Sequence, residues 1–190
     1  ITKDPVSNSF QVSNTLSAID GKSWEQYMGA NASLVSKDNT YGIALYQSYR
    51  NRNPYDVDGD GFSEIGKLNM NTFGLRAYYR PTQFSRLNVE YHTTNEFRRG
   101  GNKFDHEPFE TDITEQTKHV INSGGLTYDL FWQEYKHKLS FFTSAQHVDR
   151  NSYYGAQQDP NAYGKTDDLT FVGGAMYVGN FTRVLFSPVT

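Results

Sequence analysis

Apolar and polar residues alternate with a period of two along most of the chain. Phe10, Val12, Leu16 and Ala18 alternate with Gln11, Ser13, Thr15 and Ser17, and Leu87, Val89 and Tyr91 alternate with Asn88, Glu90 and His92. Successive side chains of a strand point to opposite sides, so each segment has one apolar and one polar face. Similar segments at residues 28–35, 41–49, 68–79, 116–128, 138–148 and 169–178 predict about eight strands, each close to the ~10 residues a tilted strand needs to cross a bilayer. No stretch shows convincing helical periodicity. The predicted class is all-β and antiparallel.

The connections alternate in length. Residues 37–40, 81–84 and 130–136 are short, whereas 51–67, 97–115 and 150–168 are long. Tight turns at one end and extended loops at the other are the pattern of an outer-membrane β-barrel, with short turns periplasmic and long loops extracellular. Asp20-Gly21-Lys22 departs from it, being short on the long-loop side. Phe84 at one short turn and Phe131, Trp132 and Tyr135 at another suit the headgroup level, where a ring has one apolar and one wet edge. The same aromatics also suit the end of a soluble β-sandwich; the loop alternation favours the membrane.

Composition fits this picture. Hydrophobic residues are only 36% of the 190, with a mean hydropathy of -0.71, yet 14 Tyr and 13 Phe raise the aromatic share to 15%. Rings are abundant where aliphatic bulk is not. The lack of cysteine excludes disulfides, zinc-thiolate sites and cysteine nucleophiles. A net charge of -3 supplies no basic field for nucleic acid, which needs phosphate neutralisation to bind. No run approaches the roughly 20 apolar residues of a spanning helix, and Ile1-Thr2-Lys3-Asp4-Pro5 is no signal peptide.

A further apolar run, Val184-Leu185-Phe186, follows the eighth segment. A single-chain bacterial barrel has an even number of strands, and an unpaired edge in lipid is too costly to tolerate. The expectation is a partial barrel with strands missing from this sequence. Ile1-Thr2-Lys3-Asp4-Pro5 resembles the plug-to-barrel junction of TonB-dependent outer-membrane receptors. Asp58-Gly59-Asp60-Gly61-Phe62-Ser63-Glu64, Glu90-Tyr91-His92 through Glu96-Phe97-Arg98-Arg99-Gly100-Gly101, Ile113-Thr114-Glu115-Gln116, Ile121-Asn122-Ser123-Gly124-Gly125 and Asn151-Ser152-Tyr153-Tyr154-Gly155 resemble the Bacteroidetes members of that family, across nearly the whole chain.

The resemblance implies a barrel of 22 strands around an N-terminal plug, of which residues 1–190 would be the first third, without plug or closing strands. It implies uptake of a scarce, bulky ligand across the bacterial outer membrane, with a cobalamin or related corrinoid as the leading substrate. It also implies TonB acting through the plug, a surface lipoprotein as lid, no catalysis and no obligatory cofactor. A complete small barrel serving as a surface binding or adhesion protein is the alternative; an outer-membrane enzyme and a soluble sandwich are further rivals.

Asp56, Asp58, Asp60 and Gly61 fit positions one, three, five and six of a calcium loop, whose twelfth position should be a bidentate Glu. That position is Lys67, which contradicts an EF-hand. Glu64, at the ninth position, and the Phe62 carbonyl offer further oxygens, making Asp56, Asp58, Asp60 and Glu64 a candidate structural calcium site; the bland reading is an acidic hairpin tip. Calcium orders extracellular loops in some cobalamin receptors of the family, which adds weight to the first reading. Arg98, Arg99, His106, Glu107, Glu110 and Asp112 form a mixed-charge loop for ligand or lipoprotein, or simply a solvated loop. Tyr153 and Tyr154 are the better ligand-contact candidates, because adjacent exposed rings cost solubility unless they pack or bind. Glu90 and His92 suit a polar lumen lining better than a catalytic pair, since no serine or metal partner accompanies them. The remaining histidines show no zinc spacing.

Overall fold

The computed structural model describes residues 4–180, so Ile1–Lys3 and the apolar run at Val184–Phe186 lie outside the described residues. The chain forms β1 (Ser9–Ile19), β2 (Ser23–Val35), β3 (Tyr41–Arg52), β4 (Ser63–Thr82), β5 (Ser85–Gly101), β6 (Ile113–Trp132), β7 (His137–Ala156) and β8 (Tyr163–Gly179), with one turn of 3-10 helix at Pro108–Glu110. They make one antiparallel sheet in the order β1-β2-β3-β4-β5-β6-β7-β8. Each strand pairs with its sequence neighbours, and β1 and β8 are not paired with each other.

Register sorts the two faces. One row across all eight strands runs Phe10, Ala32, Leu45, Leu75, Tyr91, Gly124, Ala145, Phe171. The next row, one residue along every strand, runs Gln11, Asn31, Tyr46, Gly74, His92, Ser123, Gln146, Thr170. The first row contains no polar side chain except the Tyr91 hydroxyl, and the second contains no aliphatic one. A slip of one residue in any pair would exchange that strand's faces, so the pattern itself fixes the register. Among the described residues no second sheet or helix covers the apolar face. Phe10, Leu34, Leu169 and Phe171 are 75%, 63%, 71% and 72% exposed, far more apolar surface than a water-soluble face carries.

The strands exceed expectation at the long-loop end. β4, β6 and β7 each have 20 residues, about twice what a crossing requires. On β8 the apolar face runs from Leu169 to Tyr177, about 27 Å along the strand at ~3.4 Å per residue. Beyond it the same face turns polar at Asn71, Asn95, Asn122, His147 and Asp167. The expected long loops are therefore partly paired hairpins, and the true connections shrink to residues 53–62, 102–112 and 157–162. Periodicity missed these extensions because neither of their faces is continuously apolar.

Glycines on the polar face receive aromatic rings from directly opposite residues. Tyr46 lies over Gly74, Tyr78 over Gly42 and Phe142 over Gly174. A Cβ on Gly42 would sit 2.5 Å from the Tyr78 ring, and one on Gly174 2.7 Å from Phe142. Each ring thus takes the space of the missing side chain, which fixes register and fills a gap a glycine would leave. At the short-turn end Phe84 and Phe131 pack on Tyr135, with centroids 5.8 and 5.4 Å apart, and Trp132 stacks on His137 and Tyr177. Tyr135 also donates to the Gln83 carbonyl at 2.7 Å, tying adjacent turns.

Gly74→Ala is expected to destabilise the sheet by about 1–3 kcal/mol through overpacking against Tyr46, measured by thermal unfolding of the β signal in detergent. Tyr46→Ala combined with Gly74→Ala should cost less than the sum of the single changes; strict additivity would show that the ring and the glycine are independent.

Candidate functional site

Residues 53–62 connect β3 to β4 and are held at their base. Tyr55 exchanges backbone hydrogen bonds with Ile65 at 2.8 and 3.1 Å, and its buried ring donates through the hydroxyl to Asp20 at 2.6 Å. That bond links this loop to the short β1–β2 turn, where Asp20 and Gly21 adopt φ of 51° and 65°. The Tyr55 hydroxyl, followed by Lys22, holds the Asp20 carboxyl below its ordinary value, while Asp20 pushes Tyr55 up.

Above this base the four predicted carboxylates come together. One oxygen from each of Asp56, Asp58, Asp60 and Glu64 lies within 4.8 Å of the others. Backbone amides aim them: Asp56 accepts from Gly59 and Gly61 at 2.6 and 2.8 Å, Asp58 from Asp60 at 3.3 Å, Asp60 from Phe62 at 2.8 Å and Glu64 from Val57 at 2.7 Å. Gly59 and Gly61 have φ of +80° and +91°, a region that disfavours other residues. Such an all-oxygen set suits a hard divalent cation with water completing the shell. Hydrogen bonds within a turn would aim the same groups without one. Lys67, at the twelfth position, stands in β4 opposite Arg99.

The second long connection is corrected in part. Arg99 is 7% exposed, and its guanidinium donates to the carbonyls of Lys103 and His106 at 3.1 and 2.9 Å beneath the Phe104 ring. It organises the loop and is withdrawn from ligand. Asn102 and Lys103 both bond Asp112, at 2.7 and 3.1 Å, and hold that carboxyl below its ordinary value. Arg98 remains accessible while forking onto Glu96, and His106 is half-exposed near Asp105 and Glu110.

Tyr153 is likewise corrected. Only 1% exposed, it packs edge-on against Tyr163, with centroids 4.8 Å apart, and donates to the Asp159 carbonyl at 2.9 Å. Alternation sends Tyr154 to the other face, where it is 55% exposed and available. Two adjacent tyrosines look equivalent in sequence; the strand gives them opposite surroundings.

Glu90 and His92 lie on the polar face with separate partners. Arg76 pairs with Glu90 at 3.3 Å, and the Tyr46 hydroxyl meets His92 Nδ1 at 2.8 Å after crossing Gly74. Sequence reading overlooked a charged group lower on this face, formed by Asp4, Arg76, Arg86, Glu90, Asp129 and Lys138. Even-numbered arginines on β4 and β5 were the available signal, but which strands lie side by side was needed to join them.

At the opposite end, Asp38 in the β2–β3 turn accepts from the Thr40 hydroxyl at 2.6 Å and amide at 3.1 Å. With Ser36 these bonds lower its pKa from 3.8 to about 2. A depressed carboxyl stabilises the fold above its unfolded pKa and loses that contribution as pH falls through the folded value. The turn should stay ordered at pH 4 and loosen toward pH 2. Carboxyl carbon NMR checks this, with Thr40→Val expected to move the Asp38 midpoint back toward 3.8; no movement would assign the shift elsewhere.

No protein-family model, no curated protein and no solved structure matches the chain.

Proposed function

We propose that the chain is a segment of an outer-membrane β-barrel of the TonB-dependent receptor type, serving uptake of a bulky ligand from the long-loop side. The observation that carries this reading is the pair of adjacent rows, one apolar and one polar, crossing all eight strands. A lipid-facing wall around a wet lumen needs that arrangement. The two sheet edges, unpaired with each other, favour a wider barrel over a complete eight-stranded one, because closure is how lipid-exposed edges are avoided. The family assignment rests on the motif resemblance. A corrinoid is the leading ligand, with Arg98, His106 and Tyr154 as loop contacts, a surface lipoprotein as lid and TonB acting through a plug.

Asp56, Asp58, Asp60 and Glu64 serve in this reading as a calcium site that stiffens the 53–62 loop. Terbium bound there should luminesce through the neighbouring Tyr55, and calcium should quench the signal by competition. Asp58→Asn combined with Asp60→Asn should abolish it; unchanged luminescence in that variant would leave the loop as an acidic turn only.

Leu75→Arg and Leu126→Arg are expected to cost about 2–4 kcal/mol if they lie near the bilayer midplane, while Thr72→Arg on the polar face should be tolerated. Folding yield into liposomes reads the difference; equal effects on both faces would refute a lipid-facing wall. Micromolar cobalamin should bind the full-length receptor, and failure to bind would remove the corrinoid while leaving the transporter reading in place.

A further inference from the structure

The segment before β1 does not lead away from the sheet. Val35 N donates to Asn8 Oδ1 at 2.7 Å, the Ser33 hydroxyl donates to the Ser7 carbonyl at 2.7 Å, and Asp4 accepts from Arg76 Nε at 3.0 Å. Asp4 also pairs with Arg86. Ser33, Arg76 and Arg86 all belong to the polar face, and Ser33, Ala44, Arg76 and Glu90 form one of its rows. Residues 4–7 therefore run across the strands, from β2 to β4. The lengths agree: two strand spacings are about 9.6 Å, and three extended residues reach about 10 Å.

Burial marks the same path. Ala44 is 7% exposed although it sits on the open polar face of β3, between Ser33 and Arg76, and Pro5 is buried where the segment passes. Only small side chains leave room beneath a crossing backbone, and position 44 carries one. At the far end, Asp4, Arg76 and Arg86 are 20%, 21% and 24% exposed. They border a cavity of about 300 Å³ that also touches Glu90, Gly125 and Asp129. Arg76, Arg86 and Lys138 set against Glu90 and Asp129 would leave excess positive charge, which Asp4 offsets through charge-assisted bonds.

We propose that residues 4–8 are a strap across the inner wall, with Asp4 as a clasp between Arg76 and Arg86 that keeps Ala44 covered. Partly buried charge-assisted bonds hold it, and no apolar anchor larger than Pro5 does. The strap should lift as a unit when the clasp is broken. This goes beyond the receptor reading, on which it depends only for calling the polar face a lumen.

The absence of cysteine allows a direct test in the protein purified in detergent, using fluorescein maleimide. Ala44→Cys lies under the strap, and Thr15→Cys on the exposed polar side of β1 is the open control. Ala44→Cys should react slowly and Thr15→Cys fast. Adding Asp4→Asn should speed Ala44→Cys about tenfold, as expected for loss of one charged hydrogen-bonding partner in a local opening, while Asp4→Glu should keep it slow. An unchanged rate with Asp4→Asn, or Ala44→Cys reacting as fast as Thr15→Cys from the start, would overturn the strap. An equal rise at both positions would overturn it too, since the wall rather than the strap would have loosened. None of these outcomes bears on whether the outer face meets lipid.

Discussion

Backbone hydrogen bonding is the constraint on which everything else rests. A peptide group in hydrocarbon has no water to bond, so a chain that crosses with strands must pair every one of them and must give the lipid an apolar face at the same time. In the proposed reading one device meets both demands, the antiparallel meander, in which each strand pairs with its neighbour in sequence. Side-chain alternation then separates the surroundings: Leu75 and Tyr91 on one side, Gly74 and His92 on the other. The unmet demand at β1 and β8 is what makes an eight-stranded sheet read as part of a wider wall.

The polar face is not uniform. A neutral row of Ser13, Gly29, Ser48, Thr72, Thr94 and Ile121 separates two charged layers. Toward the long-loop end are Glu25 with Arg50 and Arg52, and Glu96 with Arg98. Toward the short-turn end are Arg76, Arg86 and Glu90, with Asp129 and Lys138. The charges are paired within each layer, as partly buried charges must be to avoid a desolvation cost. The lower layer is the one that the N-terminal segment meets. The hairpins at the long-loop end are held by buried Tyr55, Arg99 and Tyr153, through the two tyrosine hydroxyls and Arg99 Nη2, while the buried Arg99 Nε has no hydrogen-bond partner among the described residues.

Much of this was legible in the sequence. The faces of β1 and β5 followed from alternation at Phe10 to Ala18 and Leu87 to His92, and the register joins them on one side across five strands. The carboxylate cluster at Asp56, Asp58, Asp60 and Glu64 was legible because turn geometry is local. What escaped was set by contacts far apart in the chain. Periodicity did not mark the long-loop ends of β4 to β7, residues 63–67, 93–101, 113–115 and 149–156, where neither face is continuously apolar. Arg99 and Tyr153 looked like surface residues until the loops folded over them. The Asp4 clasp spans 72 residues to Arg76, and no local pattern announces it.

The central claim is that the odd-numbered side of β5 meets lipid and the even-numbered side meets water. Single nitroxide labels placed from Leu87 to His92 in bilayer-reconstituted protein test it most directly, by collision with lipid-soluble oxygen and with a water-soluble nickel chelate. Leu87, Val89 and Tyr91 should collide mainly with oxygen, and Asn88, Glu90 and His92 mainly with nickel, giving a period of two. Equal access of the nickel chelate to both sets would contradict the account.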